Sequence, residues 1–154
     1  MSSDLRALYQ EVILDHYKRP RNFGPLEGAD HHADGYNPLC GDRVRVHVKL
    51  GDDETIEGIS FEGSGCAIST ASASLMTEAV AGKSAGEALA LQNRFHKLVT
   101  EREDEADPSG LGKLEALAGV RDYPVRIKCA TLAWHALKAA LESKENESRR
   151  VSTE

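Results

Sequence analysis

The sequence predicts an α+β fold in which a small antiparallel sheet of three strands has its helices packed on one face. Residues 43–50 alternate between apolar and polar side chains, and a second strand-like run returns over residues 55–62 after a turn at residues 51–53. Such alternation is typical of strands with one buried face. The segments before and after this hairpin carry apolar residues at helical spacing. We therefore expect helices to cover the apolar face of the sheet.

Composition and charge exclude several classes of partner. The chain has 154 residues, of which 40% are hydrophobic and 29% are charged, as is ordinary for one globular domain. Its formal net charge of −6 argues against binding to nucleic acid. No apolar run approaches the roughly 20 residues of a membrane span, and the acidic N-terminus is unlike a signal peptide. We expect a cytoplasmic protein that binds neither nucleic acid nor membranes.

The first helix is predicted over residues 4–18, and Pro20 ends its pattern. Residues 24–39 have no period and are rich in proline and glycine, so they are predicted to form a loop. The adjacent His31 and His32 in this loop could bind a metal, although such histidines are more often solvated. The predicted buried face of the helix consists of Leu5, Leu8, Tyr9, Val12, Ile13, His16 and Tyr17.

The hairpin that follows has one buried and one polar face. The second strand, residues 55–62, points Ile59 and Phe61 inward. In the first strand, the residues predicted to face the core are Val44, Val46, Val48 and Leu50, and those on the polar face are Arg43, Arg45, His47 and Lys49.

The second half of the chain is predicted to be mainly helical. A helix over residues 68–80 is followed by one that Ser84 and Glu87 open as a capping box and that ends near Thr100. The acidic residues 101–112 predict an exposed loop, residues 113–118 a helical turn, residues 120–128 an extended segment around Pro124, and residues 130–142 a last helix. The charged tail, residues 143–154, is predicted to be disordered, which leaves one domain over residues 1–142.

Three cysteines are the main candidates for chemistry. Cys40 stands between a turn-forming Asn-Pro and a Gly-Asp, directly before the first strand, so we expect it to project from a loop. Cys66 and Cys129 each stand at the start of a predicted helix. Asp42 can direct a carboxylate to the same point as Cys40. Three thiols and one carboxylate make the four ligands that a tetrahedral zinc requires, which is the hypothesis for this site.

Each candidate also has an ordinary structural explanation. Free cysteines usually pack like small hydrophobic residues, their spacing here lacks the paired pattern of zinc fingers, and Asp42 could serve only the turn. In favour of a reactive site, a helix N-terminus beside Lys128 and near Arg126 would lower the pKa of the Cys129 thiol. From the residues alone, a shared site and three unrelated cysteines both remain open.

The chain resembles the IscU/NifU-type iron–sulfur cluster assembly proteins in three cysteine motifs. These are Asn37-Pro38-Leu39-Cys40-Gly41-Asp42, Gly63-Ser64-Gly65-Cys66-Ala67-Ile68-Ser69 and Arg126-Ile127-Lys128-Cys129-Ala130-Thr131-Leu132-Ala133. The opening segment, residues 8–17 followed by Pro20-Arg21-Asn22, is also similar to that of the family. The resemblance runs in order over residues 4–141 and implies the SufE/IscU-like α+β fold.

Two details resemble the SufU branch of this family. Lys128 stands where the scaffold branch has a histidine before its third cysteine, and residues 100–119 resemble an insertion of the SufU branch. This resemblance implies a zinc-dependent sulfurtransferase whose metal ligands are Cys40, Asp42, Cys66 and Cys129. It further implies that Cys40 accepts persulfide sulfur from a SufS-like, pyridoxal-phosphate-dependent cysteine desulfurase and passes it to a downstream cluster scaffold.

Two alternatives remain. In the first, the protein is itself a scaffold of the IscU type, with Cys40, Cys66 and Cys129 holding a transient [2Fe–2S] cluster and Asp42 assisting its release. In the second, the zinc site is structural and takes no part in sulfur transfer. In the sulfurtransferase interpretation, Arg126 is a candidate for a charge that anchors the site.

Overall fold

The computed structural model describes residues 3–101, 110–144 and 148–153. The chain order of its elements is α1 (Ser3–Lys18), β1 (His31–Asn37), β2 (Asp42–Leu50), β3 (Ile56–Ser64), α2 (Ala67–Val80), α3 (Ala85–Thr100), a 3₁₀ helix (Gly112–Asp122), α4 (Pro124–Glu142) and β4 (Ser148–Ser152). No helix among the described residues is long and apolar enough to cross a membrane.

The sheet has four strands in the order β3-β2-β1-β4. β2 pairs antiparallel with both β1 and β3, whereas β4 pairs parallel with β1. The α+β class is therefore confirmed, but the predicted three-stranded antiparallel sheet is corrected to a four-stranded mixed one.

The hairpin of β2 and β3 matches the prediction. Ile59 and Phe61 of β3 are at most 5% exposed, and α2 and α4 lie against the sheet. Below the strands, the Trp134 indole of α4 stacks on Phe95 of α3 with ring centroids 4.7 Å apart. The residues of β2 that are buried beneath the helices are Val44, Val46 and Val48.

The first three helices also match their predicted ranges. The capping box of α3 is present, because Ser84 Oγ accepts the Glu87 N–H at 3.1 Å and a Glu87 carboxylate oxygen accepts the Ser84 N–H at 3.1 Å. His16 of α1 is buried as predicted, but Tyr17 is 44% exposed. The side chains of Leu5 and Leu8 lie outside the described part of the chain.

The predicted loop over residues 24–39 is wrong in its second half, where β1 forms. This strand has no apolar alternation, because its buried positions are held by small or polar residues, Ala33, Gly35 and Asn37. A Cβ atom on Gly35 would lie 3.0 Å from a side-chain carbon of Leu132 in α4. The close approach of α4 and the pairing with β2 define this strand, and neither leaves a local signal in the sequence.

The tail differs from its predicted disorder over Ser148–Ser152, which form the edge strand β4. Its partner is β1, with Ala33 opposite Arg149 and Gly35 opposite Val151. Parallel pairing with a strand more than a hundred residues earlier is a tertiary contact, which charge composition does not reveal. Residues 102–109 of the predicted acidic loop, and residues 145–147 and 154 of the tail, lie outside the described residues.

The last helix begins at Pro124, not near residue 130 as predicted, and residues 120–122 belong to the 3₁₀ helix. The extended segment predicted around Pro124 is therefore wrong. Proline suits the first turn of a helix, where its missing N–H needs no partner. Only Tyr123, with φ −131° and ψ 94°, keeps the extended backbone that a residue before proline prefers.

Candidate metal centre

Cys40 lies in the tight connection between β1 and β2, as expected for a loop cysteine. The Gly41 N–H donates to the Asn37 carbonyl at 2.8 Å, and the Leu39 N–H donates to the Asn37 side-chain oxygen at 3.2 Å. Gly41 has φ +73°, a backbone conformation that favours glycine. This turn leaves Cys40 exposed.

Asp42, the first residue of β2, is fully buried. Its Oδ1 atom accepts the backbone N–H of Cys66 at 2.9 Å, which joins the Cys40 loop to the N-terminus of α2. A Cβ atom on Gly65 would lie 2.7 Å from the same oxygen, so only glycine leaves room for this contact. None of the ion pairs among the described residues includes Asp42. A buried carboxylate without a cation is costly, which indicates a site for positive charge.

The other two cysteines come from α2 and α4. Cys66 is the N-cap of α2, and its sulfur accepts the Ser69 N–H at 3.4 Å. Cys129 lies in the second turn of α4 because this helix starts at Pro124, so the predicted position of Cys129 at a helix N-terminus is wrong. Its side chain is 1% exposed.

Three of the four predicted ligands converge. One ligand atom from each of Cys40, Asp42 and Cys129 lies within 4.8 Å of the other two, and the Cys40 and Cys129 sulfurs are 3.4 Å apart. In a tetrahedral zinc site, sulfur and oxygen ligands are about 3.5 to 3.8 Å apart. Two thiols and a buried carboxylate at these separations fit zinc in both donor chemistry and distance. The Cys66 thiol is not a member of this group of three; it caps α2 and lies beside Cys129, whose pKa it helps to raise.

The Cys129 thiol has a raised pKa in the metal-free protein. Burial is the main cause, followed by the hydrogen bonds with the Asp42 carboxylate and with Cys40, and Cys66 adds to the effect. This reverses the prediction that a helix N-terminus lowers this pKa. Without a cation, Cys129 is therefore a neutral thiol beside a buried carboxylate.

The sequence predicts only a turn-forming role for Asn37, but the structure places this residue at the site. Asn37 is fully buried, and its side-chain amide lies 3.4 Å from Asp42 Oδ2 and 3.5 Å from the Cys129 sulfur. Its position directly opposite Asp42 in the β1–β2 register explains this placement. The sequence indicates this role for Asn37 only if residues 37 and 42 are first assigned as partners across the β1–β2 hairpin.

The histidines and Arg126 stand apart from the three converging ligands. His31 and His32 lie in β1, where His31 Nδ1 is 2.7 Å from an Asp30 carboxylate oxygen and His32 Nδ1 is 2.8 Å from His47 Nδ1. Arg126, in the first turn of α4, is exposed. Among the described residues, the group of potential ligands includes none of these side chains.

Comparisons with known proteins agree on one family. The family model described as the NifU-like N-terminal domain matches residues 8–130. The iron–sulfur cluster assembly scaffold protein IscU of Streptococcus pyogenes serotype M1 is 49% identical over 144 residues, which are 94% of this chain and 89% of that protein. The zinc-dependent sulfurtransferase SufU of Bacillus subtilis (strain 168) is 46% identical over 144 residues, which are 94% of this chain and 96% of that protein.

The fold comparison gives the same result. The crystal structure of a nitrogen-fixing NifU-like protein (N-terminal) from Brucella abortus superposes with a TM-score of 0.78 at 26% sequence identity, covering 90% of this chain and 95% of that one. A scaffold and a sulfurtransferase are similar to this chain at nearly equal identity. Sequence similarity alone therefore supports both roles about equally.

Proposed function

This chain belongs to the NifU-like N-terminal domain family of iron–sulfur cluster assembly proteins, and we propose that it acts there as a zinc-dependent sulfurtransferase that accepts persulfide sulfur on Cys40. The observation that carries the proposal is the buried Asp42 carboxylate between two thiols, with no cationic side chain paired to it in the described chain. The similar protein named a zinc-dependent sulfurtransferase supports it.

Zinc would be held by Cys40, Asp42 and Cys129, with Cys66 as the fourth ligand. Cys66 accepts the Ser69 N–H at 3.4 Å and also lies beside Cys129, whose pKa its charge and its hydrogen bond help to raise, so its thiol is available as the fourth ligand. When bound, zinc supplies the positive charge that keeps thiols as thiolates at neutral pH. Asp42 would be the weakest of the four ligands for a borderline-soft metal, so its carboxylate would be the one most easily exchanged.

Cys40 is the sulfur acceptor because it is the exposed member of the set, whereas Cys129 is buried. Its thiolate attacks the terminal sulfur of a persulfide on the cysteine desulfurase. A new sulfur–sulfur bond forms on Cys40 as the sulfur–sulfur bond of the donor breaks. The donor cysteine leaves as a thiolate, and the proton stays with the transferred sulfur, so no external oxidant or reductant is needed.

The partner in this step is a pyridoxal-phosphate-dependent, SufS-like cysteine desulfurase, and a downstream cluster scaffold receives the sulfur. Cys40 lies at the end of a hairpin with Leu39 62% exposed beside it, so a partner can approach this cysteine directly. Asn37 and Asp42 at the base of the hairpin are fully buried, which keeps the rest of the site away from water.

A second candidate function is an IscU-type scaffold that holds a transient [2Fe–2S] cluster on Cys40, Cys66 and Cys129. The relative named as a scaffold, 49% identical, favours this role. Thiolates are the usual ligands of such clusters. Against it, the position before the third cysteine is Lys128, which as a cation is a poor cluster ligand.

Elemental analysis of the purified protein, combined with a cysteine desulfurase assay on the same sample, tests the proposal. We expect one zinc per chain, loss of zinc in Asp42→Asn, and stimulation of sulfide release only by the zinc form. Asp53→Asn, in the turn at the other end of β2, is the matched control. Iron with acid-labile sulfide that survives desalting would favour the scaffold, and zinc without any effect on the desulfurase would favour a structural site.

A further inference from the structure

The sheet face opposite to the helices carries a groove that crosses all four strands. One wall is a row of side chains from neighbouring strands, Arg150, Asp34, Arg45 and Glu62, and Tyr36 and Arg43 stand in the other wall. Between the walls, the strands contribute Gly35, Gly63 and two valines that pack toward the core. The groove has a volume of about 490 Å³ and a floor of backbone.

Only some of the charged side chains in this groove have an ion-pair partner among the described residues. Asp34 accepts from the Arg45 guanidinium at 3.2 Å, and Glu62 lies 2.7 Å from His47 Nε2. Neither Arg43 nor Arg150 forms an ion pair with any residue in the described ranges. Both carboxylates of the groove are thus occupied, and two guanidiniums remain for an external anion.

Arg43 is held in place before any ligand arrives. Its guanidinium carbon lies 5.0 Å from the centroid of the Tyr36 ring, directly across the β1–β2 pair. Stacking on an aromatic ring leaves the N–H groups at the guanidinium edge available for a carboxylate. Tyr36 is itself 40% exposed, so the pair forms part of an open surface.

We propose that this groove binds an extended acidic segment of a partner protein, with side-chain carboxylates on Arg43 and Arg150. Four strands spaced about 4.8 Å apart give the groove the length of about four extended residues. The Asp34 and Glu62 carboxylates in one wall disfavour a uniform polyanion such as nucleic acid, whereas a peptide can space its acidic residues to avoid them. The binding site is separate from the proposed metal centre, which lies toward the helices because Cys129 belongs to α4.

The groove is nevertheless attached to the Cys40 hairpin. Tyr36 directly precedes Asn37, and Arg43 directly follows Asp42. Asn37 and Asp42 are the two residues at the base of the loop that carries Cys40. A partner bound here contacts the hairpin from the face away from the helices and leaves Cys40 accessible. The inference does not depend on zinc or on sulfur transfer, so it can be tested on its own.

A fluorescein-labelled nine-residue peptide that alternates glutamate with serine is the probe. We expect its binding to shift the backbone amide signals of Tyr36, Arg43 and Arg150 in ¹⁵N–¹H spectra. Arg43→Glu or Arg150→Glu should weaken the affinity about fivefold, and the affinity should fall with added salt. The matched control is Arg19→Glu, which makes the same charge change directly after α1 at a side chain that is 80% exposed and ion-paired only with Asp15 among the described residues.

Tyr36→Ala separates a built site from general charge attraction. It leaves the net charge unchanged but removes the ring beneath Arg43, so we expect the affinity for the acidic peptide to fall about twofold or more. Four results would overturn the proposal: no binding at millimolar peptide, an equal loss in Arg19→Glu, amide shifts confined to other surfaces, or tighter binding of inorganic tripolyphosphate or single-stranded DNA than of the peptide. Spectra of each variant without peptide establish that it is folded.

Discussion

The two connections of β2 lie at opposite ends of one strand and differ in what surrounds them. The connection before β2, Pro38–Gly41, carries Cys40 and meets the N-terminus of α2 and the second turn of α4. The connection after β2 is a surface turn, in which the Gly51 N–H donates to Thr55 O at 2.8 Å and Asp53 Oδ1 accepts the Thr55 N–H at 3.1 Å. Both connections are flanked by or contain an aspartate, but only Asp42 is buried.

This difference distinguishes the candidate metal centre from an ordinary surface turn. The aspartate of the surface turn satisfies its own backbone and needs nothing else. Asp42 accepts a hydrogen bond from the backbone N–H of Cys66 and a longer one, at 3.4 Å, from the side-chain amide of Asn37. It also lies close to two thiols. Three segments that are far apart in sequence therefore converge on one carboxylate.

The largest effect is expected for Cys40→Ala. Under the proposed function, the variant lacks the exposed thiolate that would attack the donor persulfide, so it should abolish stimulation of a SufS-like cysteine desulfurase, measured as sulfide release. Asp53→Ala in the other connection should leave stimulation at the wild-type level. Mass spectrometry of the wild-type protein after reaction should find the added sulfur on Cys40. Stimulation that persists in Cys40→Ala would remove this cysteine as the acceptor.

The next largest effect is expected for Asp42→Asn, on zinc affinity. Mutation of a group that only supports a metal ligand lowers metal affinity by about 10- to 100-fold. Loss of Asp42 as a proposed ligand should therefore lower zinc affinity by about 100-fold or more. Competition with a chromophoric chelator measures this, and Asp53→Asn should bind zinc as the wild type does.

Asp42→Asn should raise the free energy of unfolding of the metal-free protein and lower that of the zinc-bound protein. In the metal-free protein, the introduced asparagine side chain has the shape of the Asp42 side chain without its buried charge, so unfolding should require about 1 kcal/mol or more of additional free energy. With zinc, the variant should be less stable than the wild type because it loses binding energy. Chemical denaturation in both forms decides the matter. Destabilisation in both would mean that Asp42 serves the turn alone.

The elements that the sequence predicted correctly are those with a local signal. Alternating valines define β2, and Ser84 with Glu87 defines the start of α3. The strand β1 has no such signal, because Ala33 and Gly35 are buried only where α4 and β2 approach closely. The start of α4 was misplaced because Pro124 suits both an extended segment and a first helical turn.

At the candidate site, the residue types were predictable, but the environment was not. The motif around Cys40 and the loop position of this cysteine follow from local turn chemistry. The burial of Asp42 and Cys129, and with it the direction of the Cys129 pKa, depends on the packing of α4. Placing Cys129 at a helix N-terminus gave the opposite direction.

A smaller effect, on stability alone, is expected from the left-handed residues of the two connections. Gly41→Ala should lower the free energy of unfolding by about 1 to 2 kcal/mol, because φ is +73° and no atom lies near the added Cβ to cause a clash. In the other connection Glu54 already has φ +62°. For Glu54→Gly, relief of strain and the entropy of glycine nearly cancel, so the change should be within about 0.5 kcal/mol. Urea denaturation of the metal-free proteins compares the two.

The smallest effect is expected from the pH dependence of the surface turn. The hydrogen bonds with the side chain and then the backbone of Thr55 hold the pKa of Asp53 below its usual value. A lowered folded-state pKa stabilises the protein at pH values above the usual aspartate pKa of about 4, and this contribution disappears as the pH falls through the lowered value. The difference in thermal midpoint between the wild type and Asp53→Asn should therefore shrink from pH 6 to pH 3. A difference that stays constant would show that Asp53 contributes through its shape and not its charge.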